Sequence, residues 1–153
     1  MTPFRPTVLL VVSLVAGFAL LALATCSNDA SGDRRRCDLC GMYVDRNPRW
    51  IAGGTKNGRP VFFDSPRCML QTLRDRRSGL REPWVTEYYA QRRRPAASVR
   101  YVQGSDTIGP MGPDLVPVDP VRAETFRRDH RGTRVLTLDQ ITPAVLRSLD
   151  ARR

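Results

Sequence analysis

The stretch FFDSPRCMLQTL, residues 62–73, places the end of an apolar strand directly before the start of a helix. Ser65 is a preferred N-cap residue, and proline, here Pro66, is favoured at the first helical position. Apolar residues follow at helical spacing, and Gly79 is expected to end the helix. The same order of strand, aspartate, proline and helix returns in PVDPVRAETFRRD, residues 117–129. The sequence therefore predicts an α+β fold in which one strand-to-helix unit is used twice.

Short apolar runs separated by turn residues predict the strands. A turn at Lys56-Asn57-Gly58 favours a hairpin between RWIAGGT and RPVFFD, residues 49–55 and 59–64. Further strands are expected after CDLCGM (37–42) and at 84–90, 98–104, 115–119 and 133–141, with a final helix at 142–149. QRRRPA (91–96) is predicted to be a polar connection, and SDTIGPMGP (105–113) a loop because of its glycines and prolines.

These elements predict two small, related ββαβ-type lobes. The first lobe is expected over residues 37–80 and the second over 81–153. Each lobe is too short to bury a stable core alone, so we expect the two to pack together.

The N-terminus predicts export. Arg5 precedes an apolar run from Val8 to Ala24, which is typical of a signal peptide over residues 1–25. Leu23-Ala24-Thr25-Cys26 is similar to a bacterial lipobox, so Cys26 is expected to be lipidated, for example with palmitate. Residues 26–36 are polar and predict a flexible tether. Plain secretion and a retained membrane helix are the alternatives.

The charge balance is strongly basic, because the formal net charge is +10 and Lys56 is the only lysine. The arginines are scattered along the chain, and the sequence contains neither an RNA-binding signature nor a recognition helix. We therefore expect no nucleic-acid partner and a solvated surface that attracts anionic lipid or an acidic protein.

The cysteines point to a thiol or metal site. If Cys26 carries lipid, three thiols remain, at Cys37, Cys40 and Cys68, and an odd number argues against a simple disulfide framework. A Cys37–Cys40 disulfide, a thioredoxin-like redox pair and a zinc site that adds His130 to the three thiols stay possible. Cys68, early in a helix, is expected to be a buried thiol more readily than a ligand.

A soft monovalent ion explains more of the pattern. Thiolate and thioether ligands select Cu(I), and Met42 follows the Cys-x-x-Cys pair directly. Met111 lies in Gly-Pro-Met-Gly, where a core role is hard to assign, and His130 ends the second helix. His130 has the alternative role of a helix-end histidine that interacts with the dipole.

Several segments in order together resemble the NosL family. They are CDLCGMYV, NPRWIA, VFFDSP, WVTEYY, YVQGSDTIGPMGPDLVPVD, AETFRRDH and VLTLDQI, and they span about residues 37–141. The resemblance implies a periplasmic lipoprotein with two related ββαβ-type lobes, of a kind also seen in part of an organomercurial lyase. Cys40 and Met42, then Met111 and His130, fall on the family's motifs, with Cys37 as a further candidate ligand. The family usually has His-Gly-Gly where this chain has His130-Arg131-Gly132.

The function implied by the resemblance is Cu(I) binding without catalysis. The chain is expected to be a membrane-anchored metallochaperone that passes copper by ligand exchange to a periplasmic enzyme. The expected client is nitrous oxide reductase of denitrification, together with its maturation machinery. A zinc-stabilised protein, or an exported protein with organomercurial-lyase-like thiol chemistry through Cys37, Cys40 and Cys68, is the alternative.

Overall fold

The computed structural model of the chain describes residues 35–150. The expected signal peptide, the lipidation at Cys26 and nearly all of the expected tether lie outside these residues. Within residues 35–150, no helix is both long enough and apolar enough to cross a membrane.

Two antiparallel sheets and three α-helices make up the described part of the chain. The strands are β1 (Ala52–Lys56), β2 (Arg59–Phe63), β3 (Arg81–Thr86), β4 (Arg93–Pro95), β5 (Arg100–Gly109), β6 (Gly112–Val118) and β7 (Arg134–Leu136). The helices are α1 (Pro66–Arg74), α2 (Ala123–Asp129) and α3 (Pro143–Ser148), with short 3-10 turns at Val44–Arg46, Pro48–Trp50 and Ala96–Ser98. One sheet has the order β2-β1-β3-β4 and the other the order β6-β5-β7. The predicted α+β class is therefore confirmed.

The β1–β2 hairpin is confirmed in detail. Lys56 pairs with Arg59, and the two residues between them, Asn57 and Gly58, have φ angles of 51° and 73°. A two-residue turn with positive φ at both positions matches the twist of the flanking strands, which is why Asn-Gly is favoured there.

Helix α1 begins where the sequence predicts and ends earlier. The Ser65 hydroxyl accepts a hydrogen bond from the Cys68 amide, and Pro66 is the first helical residue. The helix stops at Arg74 instead of Gly79. Asp75 is extended, and its carboxylate accepts a hydrogen bond from the Arg77 amide, so a local turn competes with further helix.

The segment 105–113 was predicted to be a loop, and this was wrong. Strand β5 continues to Gly109, β6 begins at Gly112, and only Pro110 and Met111 form the turn between them. The register shifts between Gln103 and Ile108. A β-bulge takes up extra residues without ending the pairing of the two strands. The residues that were predicted to form a loop are therefore part of β5 and β6.

Two further segments differ from the prediction. QRRRPA contains β4, which pairs with β3, and β3 itself pairs with β1, so both belong to the first sheet. The chain does not continue from CDLCGM directly into a strand. Tyr43 makes a single β-bridge with Arg36, and a 3-10 turn begins at Val44. Strand pairing depends on residues far away in sequence, so local alternation does not reveal which sheet a strand joins.

The two sheets share a core. One buried cluster contains Ala52, Phe63 and Val85 from the first sheet together with Tyr101 and Leu115 from the second. A second cluster packs the remaining face of the three-stranded sheet against α2. The α1 and α3 helices meet within the first cluster, so the helix carrying Cys68 is held between both lobes.

Candidate metal centre

The CDLCGM segment forms a closed loop at the edge of the first sheet. The Cys37 amide donates to the Met42 carbonyl at 2.8 Å, and the Gly41 amide donates to the Cys37 carbonyl at 3.0 Å. Gly41 has a φ of 76°, in the left-handed region that favours glycine. The Asp38 amide donates to the Phe62 carbonyl at 2.9 Å and fixes the loop to β2. The loop therefore presents both of its cysteines from one rigid turn.

The start of α1 supplies two more ligand atoms. Asp64 directly follows β2, and Cys68 lies in the first turn of α1, after the Ser65 N-cap. Both side chains belong to buried residues, with 1% and 2% of their surfaces exposed. The junction between β2 and α1 thus brings a carboxylate and a thiol to the loop.

These elements bring four ligand atoms together. One ligand atom from each of Cys37, Cys40, Asp64 and Cys68 lies within 4.8 Å of the others, and such a group could hold a metal ion. The Cys40 thiol donates to one Asp64 carboxylate oxygen at 3.4 Å, whereas the other Asp64 oxygen is buried without a hydrogen-bond partner. Cys37 and Cys68 are buried and Cys40 is exposed, and all three are free thiols.

The thiols differ in their readiness to ionise. A hydrogen bond from Cys68 lowers the pKa of Cys37 to about 6, against the opposing effect of burial, and backbone donors at Cys40 and Asp64 assist. Burial raises the pKa of Cys40 to about 11, although the Met42 amide partly offsets this effect. The pKa of Cys68 is raised strongly, because its proton is shared with Cys37 and because it is buried. Cys37 is therefore the thiol of the cluster that ionises most readily, and Cys40 and Cys68 hold their protons more tightly.

The two expected methionine ligands lie at different places. The Met111 sulfur, at the tip of the β5–β6 hairpin, is 3.8 Å from the Cys68 sulfur. Met111 is half-buried and packs against the shared core. Met42 is 36% exposed, and its amide points to the Cys40 thiol. Met111 therefore closes the cluster on one side, and Met42 lies at the solvent side of the loop.

Asp114 fastens the hairpin to α1. Its carboxylate accepts a hydrogen bond from the Arg67 amide at 3.0 Å and another from the Leu115 amide at 2.7 Å. Burial raises the pKa of Asp114 to about 7, although these amides and Ser65 act in the opposite direction. Because Arg67 directly precedes Cys68, this contact fixes the strand that follows Met111 against the first turn of the helix.

His130 has other partners. Its ring stacks on Phe126 with 4.1 Å between ring centroids, and its Nδ1 lies 3.0 Å from an Asp106 carboxylate oxygen and 3.3 Å from the Thr107 hydroxyl. The Asp106 amide also donates to the His130 carbonyl. The four-residue group contains no histidine. His130 thus joins the end of α2 to the irregular part of β5.

Asp64 was not singled out from the sequence. Cys68 was expected to be a buried thiol, which it is, and it was a candidate ligand only in the zinc alternative. The signal was nevertheless present in FFDSPRC, because a residue before the N-cap and a residue in the first turn lie at the same end of a helix. What sequence could not supply is the position of the CDLCGM loop beside that end.

Comparisons with known proteins agree with this fold. The sequence model of the NosL family matches residues 30–146. The crystal structure of the copper chaperone NosL from Shewanella denitrificans superposes with a TM-score of 0.63 and 24% sequence identity, and the match covers 72% of this chain and 91% of that chain. At this identity the likeness shows the fold alone. No curated protein matches the chain.

Proposed function

The chain belongs to the NosL family, and from the geometry of its thiol cluster we propose that it is a Cu(I)-binding metallochaperone. The observation that carries the proposal is the gathering of Cys37, Cys40, Cys68 and Asp64 within 4.8 Å, in a chain of this family. The solved relative is described as a copper chaperone, which supports the same cargo here.

The donor set favours Cu(I) over harder ions. Thiolates and thioethers are soft ligands that select Cu(I), and the cluster offers three thiols with the Met111 sulfur 3.8 Å from one of them. We propose that Cys37, Cys40 and Cys68 supply thiolates and that Met111 supplies a thioether. Met42 is proposed as an outer ligand during exchange, because it is exposed beside Cys40.

His130 is proposed to have a positioning role in place of its expected role as a ligand. Its ring is already stacked on Phe126, and its Nδ1 already lies near Asp106 and Thr107. These contacts order the part of β5 that leads to the Met111 turn. We therefore expect His130 to contribute to the hairpin more than to copper binding.

Delivery would proceed by ligand exchange and not by catalysis. Cys40 is exposed, whereas Cys37 and Cys68 are buried. An incoming ligand of a client would therefore meet copper on the Cys40 side and join it before the buried thiolates release it. Asp64 lies where it accepts the Cys40 proton in a hydrogen bond. Its place in the cluster allows it to hold a proton on Cys40 whenever copper leaves.

The proposed location and client rest on the N-terminal sequence and on the family to which the chain belongs. We propose that the chain is exported, carries lipid on Cys26 and works on the periplasmic side of a membrane. Its proposed client is a periplasmic copper enzyme, with nitrous oxide reductase first among the candidates. An apolar run before a lipobox-like Cys26 supports the anchor.

The first experiment is anaerobic metal reconstitution of the reduced soluble form, residues 27–153, with Cu(I) and Zn(II) in competition. We expect one tightly held Cu(I) per chain, retained in the presence of zinc, and a fold that persists without metal. Zinc retained against Cu(I), with loss of the fold on chelation, would contradict the proposal.

A structural zinc site is the second candidate function. The cluster favours it in one respect, because three thiolates and a carboxylate complete a tetrahedral zinc set. Asp64→Asn separates the two candidates. A Cys3Asp zinc site should lose much of its affinity in this variant, whereas a sulfur-bound Cu(I) should be little affected.

A further inference from the structure

A band of arginine side chains stacked on aromatic rings runs beside the metal-binding loop. Arg36 lies over Tyr43 with 4.3 Å from guanidinium carbon to ring centroid, and Arg35 lies over Phe62 at 4.7 Å. Arg93 lies over Trp84 at 4.2 Å. The Phe62 and Trp84 rings contact each other edge to face at 6.2 Å. We call these six residues the arginine–aromatic surface: Arg35, Arg36, Tyr43, Phe62, Trp84 and Arg93.

The surface occupies the sheet face that α1 does not cover. The strand register places Phe62 opposite Gly53, and Gly53 opposite Trp84, on one face, while Ala52 and its partners face the core under α1. A side chain at Gly53 would meet the Trp84 ring at 2.5 Å. The glycine therefore lets the indole lie flat on the sheet, where Arg93 covers it.

Two clefts flank the aromatic pair. One, of about 310 Å³, is lined by Arg35, Arg36 and Phe62 and reaches Asp38 of the metal-binding loop. The other, of about 320 Å³, is lined by Trp84 and by two arginines and one carboxylate, those of Arg93, Arg94 and Glu82. The aromatic pair is thus a ridge between two clefts. Such a surface can receive alternate side chains of an extended peptide, whereas a bilayer is flat.

Two of the three arginines of the surface have no ion pair within the described residues. Within residues 35–150, Arg93 makes no ion pair, and Arg35 has only the exposed pair with Asp45 at 2.6 Å. Stacking on the Trp84 ring leaves the edge of the Arg93 guanidinium able to donate two parallel hydrogen bonds to a carboxylate. Arg36 already donates to the Gly41 carbonyl and to the Tyr43 hydroxyl. Stacking also fixes the side chain beforehand, so less conformational entropy is lost on binding.

From these observations we infer that the arginine–aromatic surface docks an extended acidic segment of a partner protein. The Asp38 amide donates a hydrogen bond to the Phe62 carbonyl. A segment bound beside Phe62 would therefore lie next to the loop that carries the exposed Cys40. Docking there would bring a copper donor or recipient to the proposed exchange side. The copper-transfer role of the partner rests on the proposed function. Binding of an acidic segment to the arginine–aromatic surface does not.

The test is a titration of the soluble form, residues 27–153, with a short poly-glutamate peptide. We expect amide shifts concentrated near Arg35, Asp38, Phe62, Trp84 and Arg93, together with a change in tryptophan fluorescence. The R35Q/R93Q variant should weaken binding by roughly tenfold, since it removes two exposed charge pairs with the peptide. R127Q/R128Q removes the same charge from α2 and should leave binding within about twofold.

Several outcomes would overturn the inference. Equal weakening in both double variants, or shifts spread over all arginines, would mean that only net charge attracts the peptide. Binding to phosphatidylglycerol vesicles that depends on Arg35 and Arg93, without peptide binding, would assign the surface to a membrane. Arg93→Lys guards against misfolding, because it keeps the charge and should still lose part of the affinity through poorer stacking and the loss of bidentate contacts.

Copper binding separates this inference from the proposed function. R35Q/R93Q should bind Cu(I) with unchanged affinity if the surface only docks a partner. Loss of Cu(I) affinity in this variant would overturn the inference by making these arginines part of the copper site. Failure of the chain to bind Cu(I) at all would contradict the proposed function, while the peptide titration would still decide the docking surface.

Discussion

The thiol cluster and the surroundings of His130 are two polar groupings from which the sequence offered candidate ligands. In the cluster, Cys37, Cys40 and Cys68 lie close together, and one oxygen of Asp64 is buried without a partner. At His130, the ring is stacked and its Nδ1 has two neighbours with which it can form hydrogen bonds. The thiol cluster can still take up a metal ion, whereas the His130 ring already interacts with its protein neighbours.

The difference shows how a buried polar group reports on function. Buried polar atoms in folded proteins are almost always hydrogen-bonded, so the unpartnered Asp64 oxygen marks the cluster as a place with bonding capacity left, whichever ion the thiols hold. A satisfied histidine at a helix end needs no such explanation. Copper affinity should follow this division.

The largest effect is expected from the buried thiolate. Cys37→Ser replaces a soft, ionised ligand with a hard hydroxyl, so Cu(I) affinity should fall by more than about 100-fold, because loss of outer-shell partners alone costs 10- to 100-fold. Competition with a chromophoric Cu(I) chelator measures the affinity, and circular dichroism verifies that the variant is folded. An affinity within threefold of the parent chain would contradict the assignment of the thiol cluster as the copper site.

The next effect is on the pH dependence of Cu(I) affinity. With a pKa of about 6, Cys37 is expected to be mostly ionised at pH 7, whereas the raised pKa of Cys40, about 11, and that of Cys68 keep protons on those two thiols. Copper must displace protons from the latter two, so affinity should rise with pH by about tenfold per unit for each proton released. Below pH 6, protonation of Cys37 adds a third proton and steepens the loss.

The matched variant for this dependence is Cys40→Ser. It removes one displaced proton, so the slope of log affinity against pH between pH 7 and 9 should fall by about one. The measurement is the chelator competition repeated across that range. A slope that stays the same would mean that Cys40 is not a ligand.

A smaller effect is expected from the hairpin methionine. Met111→Leu keeps the volume and apolar packing of the side chain but removes its sulfur, which lies 3.8 Å from that of Cys68. Cu(I) affinity should fall by about tenfold, as for a supporting ligand. Met69→Leu makes the same exchange at a fully buried core methionine and should leave affinity unchanged. Equal effects in the two variants would contradict a role for the Met111 thioether.

The smallest effect on copper is expected from His130. His130→Gln removes the stack on Phe126 and the neighbours of the ring nitrogen, so it should lower thermal stability, by about 1 kcal/mol in the free energy of unfolding. Cu(I) affinity should change by less than about twofold, because the ring lies outside the cluster. A fall as large as that of Cys37→Ser would restore His130 as a ligand and remove the distinction between the two groupings.

Much of the fold could be predicted because its signals are local. The Asn57-Gly58 turn fixed the first hairpin, and Ser65 with Pro66 fixed the start of α1. Thr142 caps α3 in the same way, as its hydroxyl accepts the Val145 amide. Each of these depends on the backbone preference of a residue or on a hydrogen bond that spans only a few residues.

The errors arose where distant segments compete with local preference. Glycines and prolines in residues 105–113 favoured a loop, but pairing with β6 held the chain extended as far as Gly109. Arg93 and its neighbours were assigned to a polar connection, but β3 offered an open edge with which they pair. Pairing energy comes from a strand that is far away along the chain, so a window of sequence does not contain it.

Sequence alone determined the chemistry that this protein carries: a Cys-x-x-Cys-Gly-Met loop, a second methionine in Gly-Pro-Met-Gly, and the motifs of the NosL family. Only the tertiary structure decided which of those residues meet. It placed the first turn of α1 beside the loop, adding Asp64 and Cys68 to the site, and it placed His130 among other partners. The physical reason is that a ligand's identity is a property of one side chain, whereas a binding site is a distance between side chains, and packing sets that distance.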